Sequence, residues 1–237
     1  ELGDGRRQAE VALRQANYAD VTGDHPAEVT AARQAVELGL AAADLYSQAA
    51  GQWFWGRSLW RQADYKAAQS HLEQALTLAH EGGFGRVEAD SLRNLGALAR
   101  HQGRYVEAAA YNQQALDLYR ALEDRPGESA ALQNLGIIAR NQGDYAAARI
   151  YYEQAMTLSR TTGNRLDESD ALTNLGVATM YQGDYGRARD YFEQSRRVKQ
   201  EIDDRHGEGM VLGNLGIVAR NQGDLAAARR YFEEAAV

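Results

Sequence analysis

Four asparagines, Asn94, Asn134, Asn174 and Asn214, each stand immediately before Leu-Gly, forty residues apart. An asparagine amide donates and accepts at once, so it matches a peptide backbone in any sequence context. Asparagine is also a mediocre helix former, so four copies inside a helical pattern need a reason. Two chemistries supply one. The amides clamp the backbone of an extended peptide, or they hydrogen-bond to the neighbouring helix and lock one repeat onto the next. A second concentration of binding-type residues is "GQWFWGRSLW" at 51–60, which holds Trp53, Phe54, Trp55 and Trp60 and thus all three tryptophans of the chain.

Other chemistries lack their residues. No phosphate loop GxxxxGK[ST], GxSxG, HExxH or dinucleotide fingerprint is present. "EGGFGRVE" at 81–88 is glycine-rich but follows no strand pattern and lacks the phosphate-loop lysine, so it reads as a join. The five histidines are scattered without ligand spacing, and there is no cysteine for thiol chemistry or thiolate metal sites. Neither enzymatic activity, a metal nor a cofactor is expected of this segment. A net charge of −7 argues against general nucleic-acid binding. No apolar run approaches the ~18 residues that span a bilayer, and no signal-peptide pattern opens the chain. The cytoplasm is therefore the expected compartment. Of the 26 basic residues only Lys66 and Lys199 are lysine, an excess that reflects codon bias or a use for forked hydrogen bonding.

The elements that position these residues follow from the repeat. After each Asn-Leu-Gly comes Gly103, Gly143, Gly183 or Gly223, then Ala108, Ala148, Ala188 or Ala228. Gly56, Asp64, Tyr65, Ala68 and Ala75 continue the register backwards, and Gly23, Asp24, Ala35 and Leu38 do so faintly. Apolar residues recur at three and four, as in Leu132, Leu135, Ala139 and Tyr145, Ala148, Tyr152, Ala155, so each unit is two amphipathic helices, A and B. The "QGDY" between them is a turn whose glycine takes the backbone a side chain resists and whose Asp144 caps the next helix. Glu88, Glu128, Glu168 and Glu208 fall in the first turn of each A helix, where a negative charge suits the dipole. Helical hairpins are expected at roughly 8–38, 46–80, 87–121, 127–161, 167–202 and 207–237.

Leu-Gly, Gly-Asp-Tyr, then Ala, an aromatic and Ala in this order resemble the tetratricopeptide repeat. The forty-residue copies are similar to those of kinesin light chains, of Leu-Gly-Asn spindle adaptors and of bacterial STAND-type sensor arrays. The resemblance is strong over 46–237 and weak over 8–45. It implies one all-α, right-handed solenoid over 1–237: a degenerate first repeat (8–45), four clear repeats (46–206) and a sixth (207–237) truncated in its second helix. It also implies a concave groove lined by A helices. Carried over position by position, the groove takes Arg93, Asn94, Ala97 and His101, then Gln133, Asn134, Ile137 and Asn141. Asp170, Thr173, Asn174, Val177 and Tyr181 follow, then Asn214, Ile217 and Asn221. Arg100, Arg140 and Arg220 edge it, with Met180 breaking the series. The arginines suggest an acidic or carboxylate-bearing peptide; alternatively Arg93 pairs with Asp90 on its own helix. Arg125, Arg165 and Arg205 read as structural partners of the recurring glutamates.

In this register Trp55 replaces a buried leucine and belongs to the core, while Trp53, Phe54 and Trp60 replace Gln133, Asn134 and Arg140. They form an aromatic pocket at one end of the asparagine ladder, or they pack against the first repeat, with Trp53 filling the slot left by Gln52. The chain begins without Met and stops part-way through its sixth B helix, so a fragment of a larger signalling or adaptor protein is expected. Its apolar end at Ala235, Ala236 and Val237 offers self-association as the alternative role to peptide capture.

Overall fold

The computed structural model describes residues 2–236 and contains, among them, twelve α-helices and no strand. They pair as six hairpins. In chain order these are α1 (Leu2–Thr22) with α2 (His25–Ala41), α3 (Leu45–Arg61) with α4 (Tyr65–Gly82), and α5 (Gly85–His101) with α6 (Tyr105–Ala121). Then come α7 (Arg125–Asn141) with α8 (Tyr145–Thr162), α9 (Arg165–Tyr181) with α10 (Tyr185–Glu201), and α11 (Arg205–Asn221) with α12 (Leu225–Ala235). Odd-numbered helices are the A helices and even-numbered ones the B helices. Three hairpins form each of two compact units, Glu1–Glu123 and Asp124–Val237.

The turns are made as the residues require. Gly143 sits at φ 82°, a conformation that strains any residue with a Cβ. Asp144 then accepts a hydrogen bond from the Ala147 N–H at 2.9 Å, and Asp184 and Asp224 do the same for Arg187 and Ala227. Such caps are worth about 0.5–2 kcal/mol each. At Arg104 the third hairpin lacks the acid, and its B helix starts without a side-chain cap.

Packing is set by a large B-helix side chain pressed on an A-helix glycine. A Cβ built on Gly136 would lie 2.4 Å from the Tyr152 ring, and one on Gly176 would lie 2.6 Å from Phe192. The same aromatics form the interface with the next hairpin. Tyr152 clusters with Leu175 and Ala178, and Phe192 with Val211, Leu215 and Val218.

The first-turn glutamates do more than suit the dipole. Glu168 is buried and ion-paired with Arg160 at 2.8 Å and with Arg165, while Arg196 bridges Glu208 and Glu234 at 3.1 Å each. A buried carboxylate survives only when paired and hydrogen-bonded, and Arg160 and Arg196, contributed by the preceding B helix, bind one hairpin to the next. Arg125 pairs with Glu128 as expected, whereas Arg205 turns to the exposed Asp203 instead. At the far end Ala235 packs against the α11 cluster and Ala236 is exposed; Val237 lies outside the described residues.

Gly136→Ala should lower stability by about 1–3 kcal/mol, because a methyl must displace a fully buried tyrosine ring. Urea unfolding monitored by circular dichroism measures it, and an unchanged midpoint would show that the hairpin does not depend on this approach.

Candidate functional site

In the second unit α7, α9 and α11 place Asn134, Asn174 and Asn214 at one register position, each half-buried. The reason is local. Leu135, Leu175 and Leu215 follow directly and are buried against the B helices, so each asparagine sits one helical step away, at the edge of the interior. Among the described residues the Asn174 and Asn214 side chains have no hydrogen-bond partner. Three positions further on lie Ile137, Val177 and Ile217, and six positions further on Arg140, Met180 and Arg220. Neither Arg140 nor Arg220 has a carboxylate partner among the described residues, in contrast to the paired junction arginines.

The acid expected on this face, Asp170, is neutralised by the chain itself. Lys199 is buried, and its ammonium donates to Asp170 at 2.9 Å and to Asp204 at 3.0 Å. Burial by itself would lower the Lys199 pKa, but the two carboxylates outweigh it and raise it. Thr173 is spent on packing, bonded to Ser195 and to the Ser169 carbonyl. Tyr181 is exposed and stacks on Tyr145, with ring centroids 5.3 Å apart and planes 6° from parallel. Asn141 and Asn221 are exposed at the ends of α7 and α11.

In the first unit Asn94 occupies the same register on α5, and its amide nitrogen is buried without a partner. Leaving a donor buried and unmade costs about 1–3 kcal/mol. Arg93, by contrast, is committed: its Nε donates to the Tyr119 hydroxyl at 3.2 Å, which donates to Asp90 at 2.7 Å, and Arg93 also pairs with Asp90 at 3.6 Å. The intrahelical pairing is therefore the one realised. Burial opposes the charge on Arg93, but Tyr119 and Asp90 together raise its pKa. Arg100 is half-buried, and its Nε has no partner.

The aromatic cluster divides. Phe54, expected on the groove, is only 8% exposed and packs on Ala16, Ala31 and Ala32 of the first hairpin. Phenylalanine in an asparagine position buries itself because an adjacent hairpin offers an apolar wall. Trp53 is half-buried beside Phe54, with the Arg57 guanidinium 4.5 Å over its ring. It does not fill the leucine slot, since Gln52 occupies that slot itself, bonded to Gln74 and His71. Trp55, expected in the core, is half-buried and stacked on His71 at 4.1 Å. An indole exceeds the space that a leucine fills and is displaced towards the B helix. Trp60 is half-buried, with its ring N–H unpartnered.

One arrangement was not legible beforehand. Arg57 pairs with Asp20 and Glu28 at 2.8 Å each, and Arg61 with the same two acids, fastening the first hairpin to the second. The signal available was an arginine four and eight residues after Trp53. Among the described residues no group of three or more His, Cys, Asp or Glu could hold a metal ion, and no helix is long and apolar enough to cross a membrane.

The family model described as Tetratricopeptide repeat matches residues 47–121, 87–161 and 167–236. Solved structures share the fold at low identity. A signal transduction ATPase with numerous domains carrying a tetratricopeptide repeat sensor, from Pyrococcus horikoshii, is 17% identical with a TM-score of 0.78, and the match covers 98% of this chain but 36% of that one. The apo form of RapI is 13% identical, TM-score 0.75, over 97% of this chain and 82% of its own. The nearly identical repeats of a Podosopora anserina putative kinesin light chain are 18% identical, TM-score 0.63, over 84% and 96%. No curated protein matches the chain closely enough to count as a relative.

The Trp55–His71 stack gives a spectroscopic prediction. Desolvation lowers the His71 pKa below the ordinary 6.5, against a smaller raising effect of Asp64. Its Nδ1–H donates to Gln52 Oε1 at 2.6 Å, because the Gln52 amide nitrogen is already donating to Gln74. Tryptophan emission should fall as the imidazole protonates, with a midpoint below 6.5, and His71→Gln should remove the transition. The folded state holds this proton more weakly than the unfolded chain, so acidification through 6.5 also lowers stability. A midpoint above 6.5, or one that survives His71→Gln, would contradict the stack.

Proposed function

Because the chain belongs to the tetratricopeptide-repeat family, a family of helical scaffolds for protein–protein interaction, we propose that the A-helix face of the second unit holds an extended peptide segment. The observation that carries this reading is the row Asn134, Asn174 and Asn214 on three successive A helices, with the Asn174 and Asn214 amides free of hydrogen bonds among the described residues. Packed helices lie ~8–10 Å apart and an extended chain rises ~3.3 Å per residue. One amide therefore meets the peptide about every three residues. A helical ligand, rising ~1.5 Å per residue, would bring a contact only about every seven and has no free backbone to offer. The unpaired Arg140 and Arg220 favour a ligand with carboxylates, since a guanidinium binds a carboxylate through a matched pair of hydrogen bonds. In this reading Asn141, Asn221 and Tyr181 border the peptide at one end of each helix, and Asn94, Arg100 and Trp60 form a comparable face in the first unit. Arg93 supports its own hairpin, and Trp53 and Phe54 pack against the first. The array then serves as the sensing or adaptor segment of a larger signalling protein in the cytoplasm and performs no chemistry itself.

Selection from a phage-displayed library of random dodecapeptides tests this. Wild type should enrich acidic sequences, and Asn134→Ala with Asn174→Ala should weaken a selected peptide by about 10- to 100-fold, at about 1 kcal/mol per lost hydrogen bond, with an unchanged circular dichroism spectrum. Arg140→Ala with Arg220→Ala should flatten the salt dependence of binding. Undiminished capture by the asparagine double variant would sink the clamp.

A further inference from the structure

The second surface of interest lies among the B helices. Because the register is forty residues, the groove between α2 and α4 in the first unit can be compared position by position with that between α10 and α12 in the second. In the second unit the equivalent groove is also open, about 770 Å³, but ion pairs of the chain itself cross it and its lining includes Arg196, Lys199 and Arg205. Arg196 of α10 reaches Glu208 of α11 and Glu234 of α12 at 3.1 Å each. In the first unit all three members of this ionic lock are replaced together: Val36 stands for Arg196, Gln48 for Glu208 and Gln74 for Glu234. Leu45 likewise stands where Arg165 pairs with Glu201, so Glu81, the equivalent of Glu201, has lost its partner.

What remains is a cavity of about 530 Å³ whose lining includes Val36, Leu40 and Leu78, with Glu73 and Glu81 on the α4 wall and no lysine or arginine. Leu40 is 62% exposed, a large apolar side chain left in water. The glutamines of the floor and wall are satisfied within the chain: Gln48 donates to the Gly39 carbonyl, Gln52 to Gln74, and Gln74 to Ser70. The nearest arginine on α2, Arg33, is held by Glu37 at 2.9 Å. The carboxylates are thus the groove's free polar groups; Glu73 accepts one bond from Gln69 at 2.8 Å and keeps further acceptor capacity.

We propose that the α2–α4 groove is a docking site for a basic segment of a partner protein. An arginine side chain takes the place that Arg196 occupies in the second unit. Its aliphatic stem lies on Val36, Leu40 and Leu78, and its guanidinium pairs with Glu73 or Glu81. Eight helical residues separate the two acids, about 12 Å along α4, so a segment with two basic side chains at that spacing satisfies both. Its walls are the B helices α2 and α4 and its floor is Gln48 and Gln52 of α3, so it shares no residue with the peptide face of the second unit.

The test uses N-acetyl-arginine N-methylamide as the probe, titrated at millimolar concentration into protein labelled at its Leu and Val methyl groups and followed by NMR. Saturable shifts are expected at Val36, Leu40 and Leu78, and the uncharged citrulline counterpart should give little effect. Glu73→Gln with Glu81→Gln, both surface changes, should weaken the probe by about 5- to 10-fold, the scale of two exposed ion pairs. Val36→Arg with Gln48→Glu and Gln74→Glu rebuilds the internal lock and should abolish the shifts. Equal binding of the citrulline analogue, or undiminished binding to the Glu73 and Glu81 double variant, would overturn the proposal.

Discussion

The rest of the fold depends on one contact, the approach of a B-helix side chain to an A-helix glycine. Gly136 against Tyr152, Gly176 against Phe192 and Gly216 against Phe232 leave no room for a Cβ. With the glycine in place, the two axes close and the aromatic ring reaches through to the next A helix, as Tyr152 does to Leu175. One side chain therefore sets both the hairpin and the stack. In the first unit the same position holds Leu72 and Asn112, smaller groups that fill it without an aromatic ring. Once the Leu-Gly pair is pinned inward, the residue before it has no choice of environment. It sits at the margin of the core, where an amide is half-buried and oriented by a rigid helix. The candidate site is thus a by-product of packing, positioned by residues that take no part in it.

Electrostatics divides the arginines into two populations. Arg57, Arg165 and Arg196 each reach two carboxylates on different helices. A lysine ammonium is a point charge and a guanidinium is a fork, so the scarcity of lysine has a structural use at these junctions. Lys199, which bridges Asp170 and Asp204, is the exception and is itself buried. Arg100, Arg140 and Arg220 lie outside this system, in the last turn of their A helices, where the dipole favours a cation. That location accounts for their tolerance by the fold. It leaves their charge available.

The hairpins, turns and caps were legible in the sequence because each rests on local chemistry repeated at a fixed period. Asp144 caps what Gly143 turns, and a neighbour two helices away has no say. The second hairpin was not legible in the same way. Its register was plain, but register gives a position and not its contents. Phe54 is drawn inward by alanines of α1 and α2, and Trp55 is pushed outward because a leucine slot cannot hold an indole. Gln52 stays in an apolar slot because Gln74 and His71 satisfy it. Each outcome depends on side chains from a different helix, and periodicity carries no information about them. The ionic lock of Arg57 with Asp20 and Glu28 was hidden for the same reason.

The asparagines sharpen the distinction between a residue type and its setting. Asn112 is also an asparagine inside a helix, fully buried, and its amide donates to the Ala108 carbonyl one turn back at 2.9 Å. A helical asparagine can therefore satisfy itself without a ligand, at the expense of sharing a backbone acceptor. Asn94, in the same unit, does not do so, and its amide nitrogen is left without a partner; Asn174 and Asn214 likewise make no such bond among the described residues. The difference lies in the side-chain direction that packing imposes. Asn112 points into the glycine gap at Gly96, where the backbone is close. The Asn174 and Asn214 amides, which make no hydrogen bond among the described residues, keep both donor and acceptor capacity.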